Sequence, residues 1–229
     1  MQPDLEQIIM NRRSIRAYTQ ARVDRATIER ICKAARQAPS GANLQPGAFH
    51  ILTGEALSAL TDKLLQAADR GEPEDAEYSY FPTPMPPGLK DRQRKAGYAL
   101  YDSLGITRRD IAGRRAQFAR NYAFFDAPVG IVVTIDRGMG KGCFMDLGMA
   151  LMSFLLAAEA SGLGATGIGA LANYSRLVHA HLNLPETELV VCGIALGHPD
   201  RAAPVNQFRT EREPLESFTS FRGFDVDDA

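Results

Sequence analysis

Apolar residues recur at helical spacing in some stretches and in short continuous or alternating runs in others, and this succession predicts the elements of the chain. Leu5, Ile8 and Ile9 share one helical face, and the helix they imply ends near Asn11. A second helix from about Asp24 carries Ile28, Ile31, Ala34 and Ala35 at helical spacing and stops before Pro39. Phe49 and Ile51 read as a strand, and residues 55–68 as a further helix. Helical patterns return over 89–104 and 108–122, the latter with Ile111, Phe118 and Tyr122 expected inward and Arg109, Arg114, Arg115 and Arg120 solvated. Residues 129–135 form a continuous β-rich apolar run, as in a strand buried on both faces. A helix over 146–161, a short strand after the glycine-rich stretch 162–169, a helix over 175–181 and a last strand over 188–196 complete the pattern. The order predicts an α+β fold, a sheet flanked by helices, in one domain spanning residues 1–229.

Residues 70–90 interrupt this regularity. Pro73, Pro82, Pro84, Pro86 and Pro87 stand among Tyr78, Tyr80 and Phe81, which suits either a rigid surface excursion or a cover over a binding site. The apolar stretch 147–158 is broken by Gly148 and Ser153 and falls short of the roughly 20 residues needed to cross a bilayer, so a core helix is expected there.

Charge narrows the partners. Lys and Arg total 26 against 27 Asp and Glu, a net charge of −1, so no global field favours a nucleic acid or an anionic membrane, and any anion site must be local. Cys32, Cys143 and Cys192 are odd in number and lack metal or dithiol spacing, as expected of reduced, partly buried thiols. The acidic N-terminal residues do not suit a secretory signal, and a cytoplasmic location is the expectation. His50, His179, His181 and His198 are scattered and are assigned neither a catalytic nor a metal role. No Ser-His-Asp or paired-carboxylate arrangement stands out, so no side chain is assigned as catalytic.

Four segments carry candidate chemistry. Arg12-Arg13-Ser14-Ile15-Arg16 places three guanidinium groups and a hydroxyl within five residues, which suits a phosphate and equally describes a solvated basic loop. Ala38-Pro39-Ser40-Gly41-Ala42-Asn43-Leu44-Gln45-Pro46 offers backbone N–H groups to a flat polar ligand, or simply ends a helix. Gly167-Ile168-Gly169 lets backbone approach closely, as a tight turn also would. Arg209 and Arg212 lie in Arg209-Thr210-Glu211-Arg212-Glu213-Pro214-Leu215, where they could bind an anion or pair with Glu211 and Glu213.

Together these segments resemble the FMN-dependent nitroreductase family over nearly the whole chain. The resemblance implies a homodimer with a central mixed β-sheet flanked by helices, an extended C-terminal arm over 200–229, and FMN at the subunit interface. It places Arg12 and Arg13 towards the FMN phosphate, Ser14 towards the ribityl chain and Arg16 near the flavin pyrimidine edge, where positive charge stabilises the anion left by reduction. Pro39, Ser40 and Gly41, with Asn43 close behind, would be presented by the other subunit. Gly167, Ile168 and Gly169 would run against the ring, Arg212 would bind phosphate with Arg209 as helper, and Phe218, Phe221 and Phe224 would pack over the partner. Residues 225–229 are expected to fray.

Two departures stand out. Ile168 occupies a position that is acidic in many members, which implies a different polarity beside the ring. Gly47 stands where tryptophan is common, which puts packing near the dimer contact in doubt. The implied activity is ping-pong hydride transfer from NADH or NADPH through flavin N5 to a nitroaromatic, quinone or similar flat electrophile. A reductive dehalogenase, a flavin-cleaving enzyme or a non-catalytic flavin-binding protein would retain the same cofactor residues.

Overall fold

The computed structural model describes residues 4–223, so the expectations for Phe224 and for residues 225–229 lie outside the described residues. Helices α1 (Leu5–Asn11) and α2 (Arg25–Ala35) each start on an aspartate whose carboxylate accepts a backbone N–H: Asp4 from Gln7 and Asp24 from Thr27, both at 2.8 Å. Strand β1 (Ala48–Thr53) leads directly into α3 (Gly54–Asp69). Helices α4 (Pro87–Ser103) and α5 (Ile111–Ala119) follow the proline-rich segment, with Pro87 at the first position of α4, where a missing N–H costs nothing. Strand β2 (Val129–Asp136), α6 (Lys141–Ala160), β3 (Gly164–Ile168), α7 (Ser175–Leu182) and β4 (Glu188–Gly197) complete the chain's regular elements.

The strands pair in the order β1-β2-β4-β3, antiparallel at each ladder. The parallel component is a single bridge between Ser14 and Ala165, which lays the arginine segment along the β3 edge. Val129, Ile131, Val133 and Ile135 face α2 and α6, and Val132 faces α3 and α7, so β2 is buried on both sides as its sequence predicts.

Two helices differ from expectation. Ile111 and Phe118 are 62% and 47% exposed, and only Tyr122 of the three expected inward residues is buried. The cause is that α5 ends at Ala119; the chain then unwinds through Phe124 and Phe125 at φ 49° and 54°, and this turn, not the helix, inserts aromatic rings into the core. Helix α6 begins five residues earlier than expected and, at 20 residues with mean hydropathy 1.6, is long and apolar enough to cross a membrane by length and composition. Here Leu147, Ala150, Phe154 and Ala158 are buried, which makes one face of α6 a core face. Its Met145, Met149 and Met152 remain exposed, as do Leu5, Ile9 and Met10 of α1, which buries no residue within the chain.

The segment between α3 and α4 is fastened at its base. Asp75 donates its N–H to the Asn173 carbonyl at 2.8 Å, and its carboxylate accepts from the Arg176 N–H at 3.3 Å. Glu77 pairs with Arg137 at 2.5 Å, and the Tyr78 hydroxyl donates to the Val191 carbonyl. Beyond these anchors Tyr80 and Phe81 meet edge to face at 4.9 Å and stay exposed.

Candidate functional site

Residues 12–16 leave α1 and are held from both sides. The Ile15 N–H donates to the Ala165 carbonyl at 3.2 Å, and the Ile15 side chain covers Gly164 so closely that a Cβ there would lie 2.6 Å from Ile15 Cγ1. On the other side stands Asn206, 4% exposed. Its side-chain oxygen accepts the Arg16 N–H at 2.8 Å, its amide donates to the Ala17 and Asp200 carbonyls at 2.8 Å, and its backbone carbonyl accepts from Arg13 at 2.9 Å. Tyr18 adds a hydroxyl bond to the Ile15 carbonyl at 2.7 Å, and burial raises its pKa. Sequence reasoning missed Asn206, because nothing local links it to a segment some 190 residues away.

The candidate arginines form no ion pairs: among the described residues, Arg12, Arg13, Arg16, Arg209 and Arg212 have no carboxylate partner within ion-pair distance. Arg12 is partly buried and its Nε has no hydrogen-bond partner. Burial lowers its pKa, the charge of Arg212 lowers it further, and Glu159 partly offsets both. Arg212 donates to the Thr210 hydroxyl at 2.7 Å and to the Thr210 and Glu211 carbonyls, not to the Glu211 carboxylate, while Glu213 pairs with Arg92. The surface pairing open to Arg212 in the sequence is therefore not formed. Arg209 donates to the Met10 carbonyl at 2.6 Å, stapling the tail to the end of α1. Burial also lowers the pKa of Arg16, whose guanidinium lies 5.9 Å from the Phe125 ring centre.

Strand β3 supplies a bare face. Gly167 is exposed, and a Cβ on it would meet nothing within 4 Å. Ile168 turns the opposite way by strand alternation and is 1% exposed among Leu171, Val190 and Ala195. Its side chain therefore sets the polarity of the core, which corrects the expectation that it alters the open face. Tyr80 lies against Gly169, where a Cβ would be 3.1 Å from its ring.

Residues 39–43 sit elsewhere in the chain, after α2 and against α6. Gly41 donates its N–H to Asp146 at 3.0 Å, and the Ser40 hydroxyl accepts from the Gln45 N–H at 2.9 Å. None of their hydrogen bonds goes to the arginine segment. A cavity of about 880 Å³ also lies apart from residues 12–16, walled by Tyr101, Arg114, Phe118, Tyr122 and Tyr174. His50 is a satisfied structural histidine, 3.0 Å from Thr134 Oγ1 and 3.1 Å from Glu188 Oε2.

The sequence model of the nitroreductase family matches residues 9–198. The chain belongs to the nitroreductase family. Within that family it is similar to a 4-nitrobenzoate reductase of Pseudomonas putida, 34% identical over 97% of each chain. It is also similar to a chloronitrobenzene nitroreductase of Comamonas testosteroni, 36% identical over 96% of this chain and 97% of that one. Among solved structures it superposes on the FMN and NADPH-dependent nitroreductase NfnB of Sphigopyxis sp. strain HMH with a TM-score of 0.94, at 37% identity over 97% of this chain and 100% of that one.

Gly47 has φ +89°, and a Cβ there would lie 2.5 Å from Leu147 Cδ1. Leu147, 1% exposed, fills that volume from α6 within the chain.

Proposed function

We propose that this nitroreductase-family protein is an FMN-dependent NAD(P)H oxidoreductase that reduces nitroaromatic compounds, working in the cytoplasm as a homodimer of one domain per subunit. The observation that carries the reading is the meeting of Arg12 with Arg212: two cations close enough to disfavour each other, one with a buried, unpartnered N–H, and neither in an ion pair among the described residues, Glu159 offsetting the repulsion only in part. Such an arrangement fits a phosphate dianion, which would relieve the repulsion and satisfy the N–H.

The other residues fit the rest of an FMN. Ser14, laid on β3 by the Ala165 bridge, can present its hydroxyl along the ribityl chain, and Arg13, fixed by Asn206, stands with Arg12 towards the phosphate. Arg16, partly buried beside Phe125, is a charge that water screens less than one on the surface and that would stabilise negative charge at the pyrimidine edge. Gly167 leaves room for a ring to lie on β3; since Ala165 turns its carbonyl to the open edge at Ile15, alternation turns the Gly167 N–H to that same edge while Ile168 faces the β4 ladder, and Arg209 steadies the tail that carries Arg212. FMN held by these residues would supply hydride-transfer chemistry between a nicotinamide donor and a nitro group, a change of two electrons and two protons that gives a nitroso group and water. The exposed Tyr80–Phe81 pair beside Gly169 offers flat apolar surface over that place, the cover reading of the proline-rich segment.

The exposed methionines of α6 and apolar residues of α1 support a second copy as partner, with residues 39–43 of each subunit completing the flavin site of the other and the tail from residue 200 as an arm. The test is the visible spectrum of the purified protein with FMN, before and after anaerobic NADH or NADPH, followed by a nitroaromatic. Bleaching by the donor and recovery with the nitro compound is the expected result. Bleaching without recovery would move the reading to a specialised relative, and bound flavin that never bleaches to a flavin-binding protein.

A further inference from the structure

Arg36 caps the C-terminal end of α2 and reaches across the chain's next turn to three successive carbonyls: Gln45 at 2.5 Å, Pro46 at 3.3 Å and Gly47 at 2.7 Å. The residues between carry Pro39, Ser40, Gly41 and Asn43. They also include Ala42, Asn43 and Gln45 at φ 49°, 57° and 49°, left-handed conformations that residues with a Cβ disfavour, followed by Gly47 at +89°. Such a turn does not hold itself. The guanidinium closes it like a clasp, and Arg36 makes no ion pair among the described residues that would compete for it. Its charge also sits where a helix C-terminus favours a cation.

A second fastening comes from α6. Asp146 accepts the Gly41 N–H at 3.0 Å, at the middle of the turn, while the Ser40 hydroxyl accepts from Gln45 across its base. Inside the clasp Pro46 is buried; outside it Ala42, Asn43 and Leu44 are exposed, with Leu44 at 57%. The geometry is that of a rigid backbone ridge projecting from the protomer. The fork of an arginine is needed because the three carbonyls lie along successive residues, whereas an ammonium group donates from one point.

We propose that Arg36 and Asp146 are positioning residues, which hold residues 39–43 of one subunit in the shape that fits the FMN of the other. The inference rests on the flavin reading above. Neither residue touches the cofactor in this scheme; both act through the backbone of the turn.

The experiment is FMN titration of the full-length apoprotein followed by flavin fluorescence, with native mass and thermal melting recorded for each variant. Arg36→Ala is expected to weaken FMN binding by at least about ten-fold while the protein stays dimeric, with Arg36→Lys intermediate. Asp146→Ala is expected to weaken it by several-fold, and Asp146→Asn, whose amide oxygen can still accept from Gly41, to restore it. A folded, dimeric Arg36→Ala with wild-type affinity overturns the proposal. If Arg36→Ala fails to fold, the Asp146 pair decides, and equal affinities for Asp146→Ala and Asp146→Asn overturn it. Wild-type protein that binds no FMN removes the flavin reading itself and this inference with it, a result distinguishable because it appears before any substitution.

Discussion

The charge of Arg212 lowers the proton affinity of Arg12, and the Nε of Arg12 is buried without an acceptor. Two residues separated by nearly the whole chain thus form a site that is poorer alone than with an anion. Removing either arginine by substitution to alanine is expected to raise the Kd for FMN by about ten- to a hundred-fold, at roughly 1.5–3 kcal/mol for a charged hydrogen bond. The melting temperature of the apoprotein should not fall, because a repulsion is removed. Riboflavin, which lacks the phosphate, should bind the variants and the wild type alike; equal losses for FMN and riboflavin would count against a phosphate at this pair.

Arg16 is expected to act on the redox step more than on adhesion, since its charge is partly buried beside Phe125. Arg16→Gln should lower the flavin midpoint potential and slow reduction by NADPH in stopped-flow traces. An unchanged potential and an unchanged rate would remove this role.

Two glycines on one strand should answer differently to a side chain. Gly164→Val drives methyl groups into Ile15 and should cost about 1–3 kcal/mol of stability, read from denaturant melts. A Cβ on Gly167 meets nothing within 4 Å, so Gly167→Leu should leave stability unchanged while abolishing FMN binding. A Gly167→Leu protein that still turns yellow with FMN would show that the flavin does not lie on this face.

At Gly47 a tryptophan is expected to be harmful in this chain. Gly47→Trp meets Leu147 and a φ of +89°, and should destabilise by at least about 2 kcal/mol in the same melts. A neutral effect would mean that Leu147 and the turn readily move aside.

Stability should fall on the alkaline side. Burial raises Tyr122 from an ordinary value of 10.0 to about 12, so its neutral phenol is favoured by folding. That contribution is complete below pH 10.0 and is lost as pH rises towards about 12. Denaturant melts across this window, with tyrosinate absorbance as the second readout, should show stability dropping as Tyr122 ionises, and Tyr122→Phe should flatten the drop.

The contrast between β2 and α5 shows what was legible beforehand. The buried run of β2 announces itself because every residue in it is apolar, whichever neighbour it meets. The inward face of α5 did not follow from its spacing, because the helix stops at Ala119 and the following turn, not the helix, meets the core. The arginine segment was visible as a dense local motif, whereas Asn206, which holds Arg13 and Arg16, carries no such signal.

By itself the sequence determined the order of the elements, the burial of β2 and the residue types able to meet a phosphate and a flat ring, because these depend on local spacing and local chemistry. The tertiary structure decided the rest. It set Arg212 beside Arg12, laid Ser14 on the edge of β3, turned Ile168 inward, filled the space over Gly47 with Leu147 and closed the turn at residues 39–43 with Arg36. Each of these joins groups brought together by the folded backbone, and their energies depend on distance and burial, which sequence spacing does not encode.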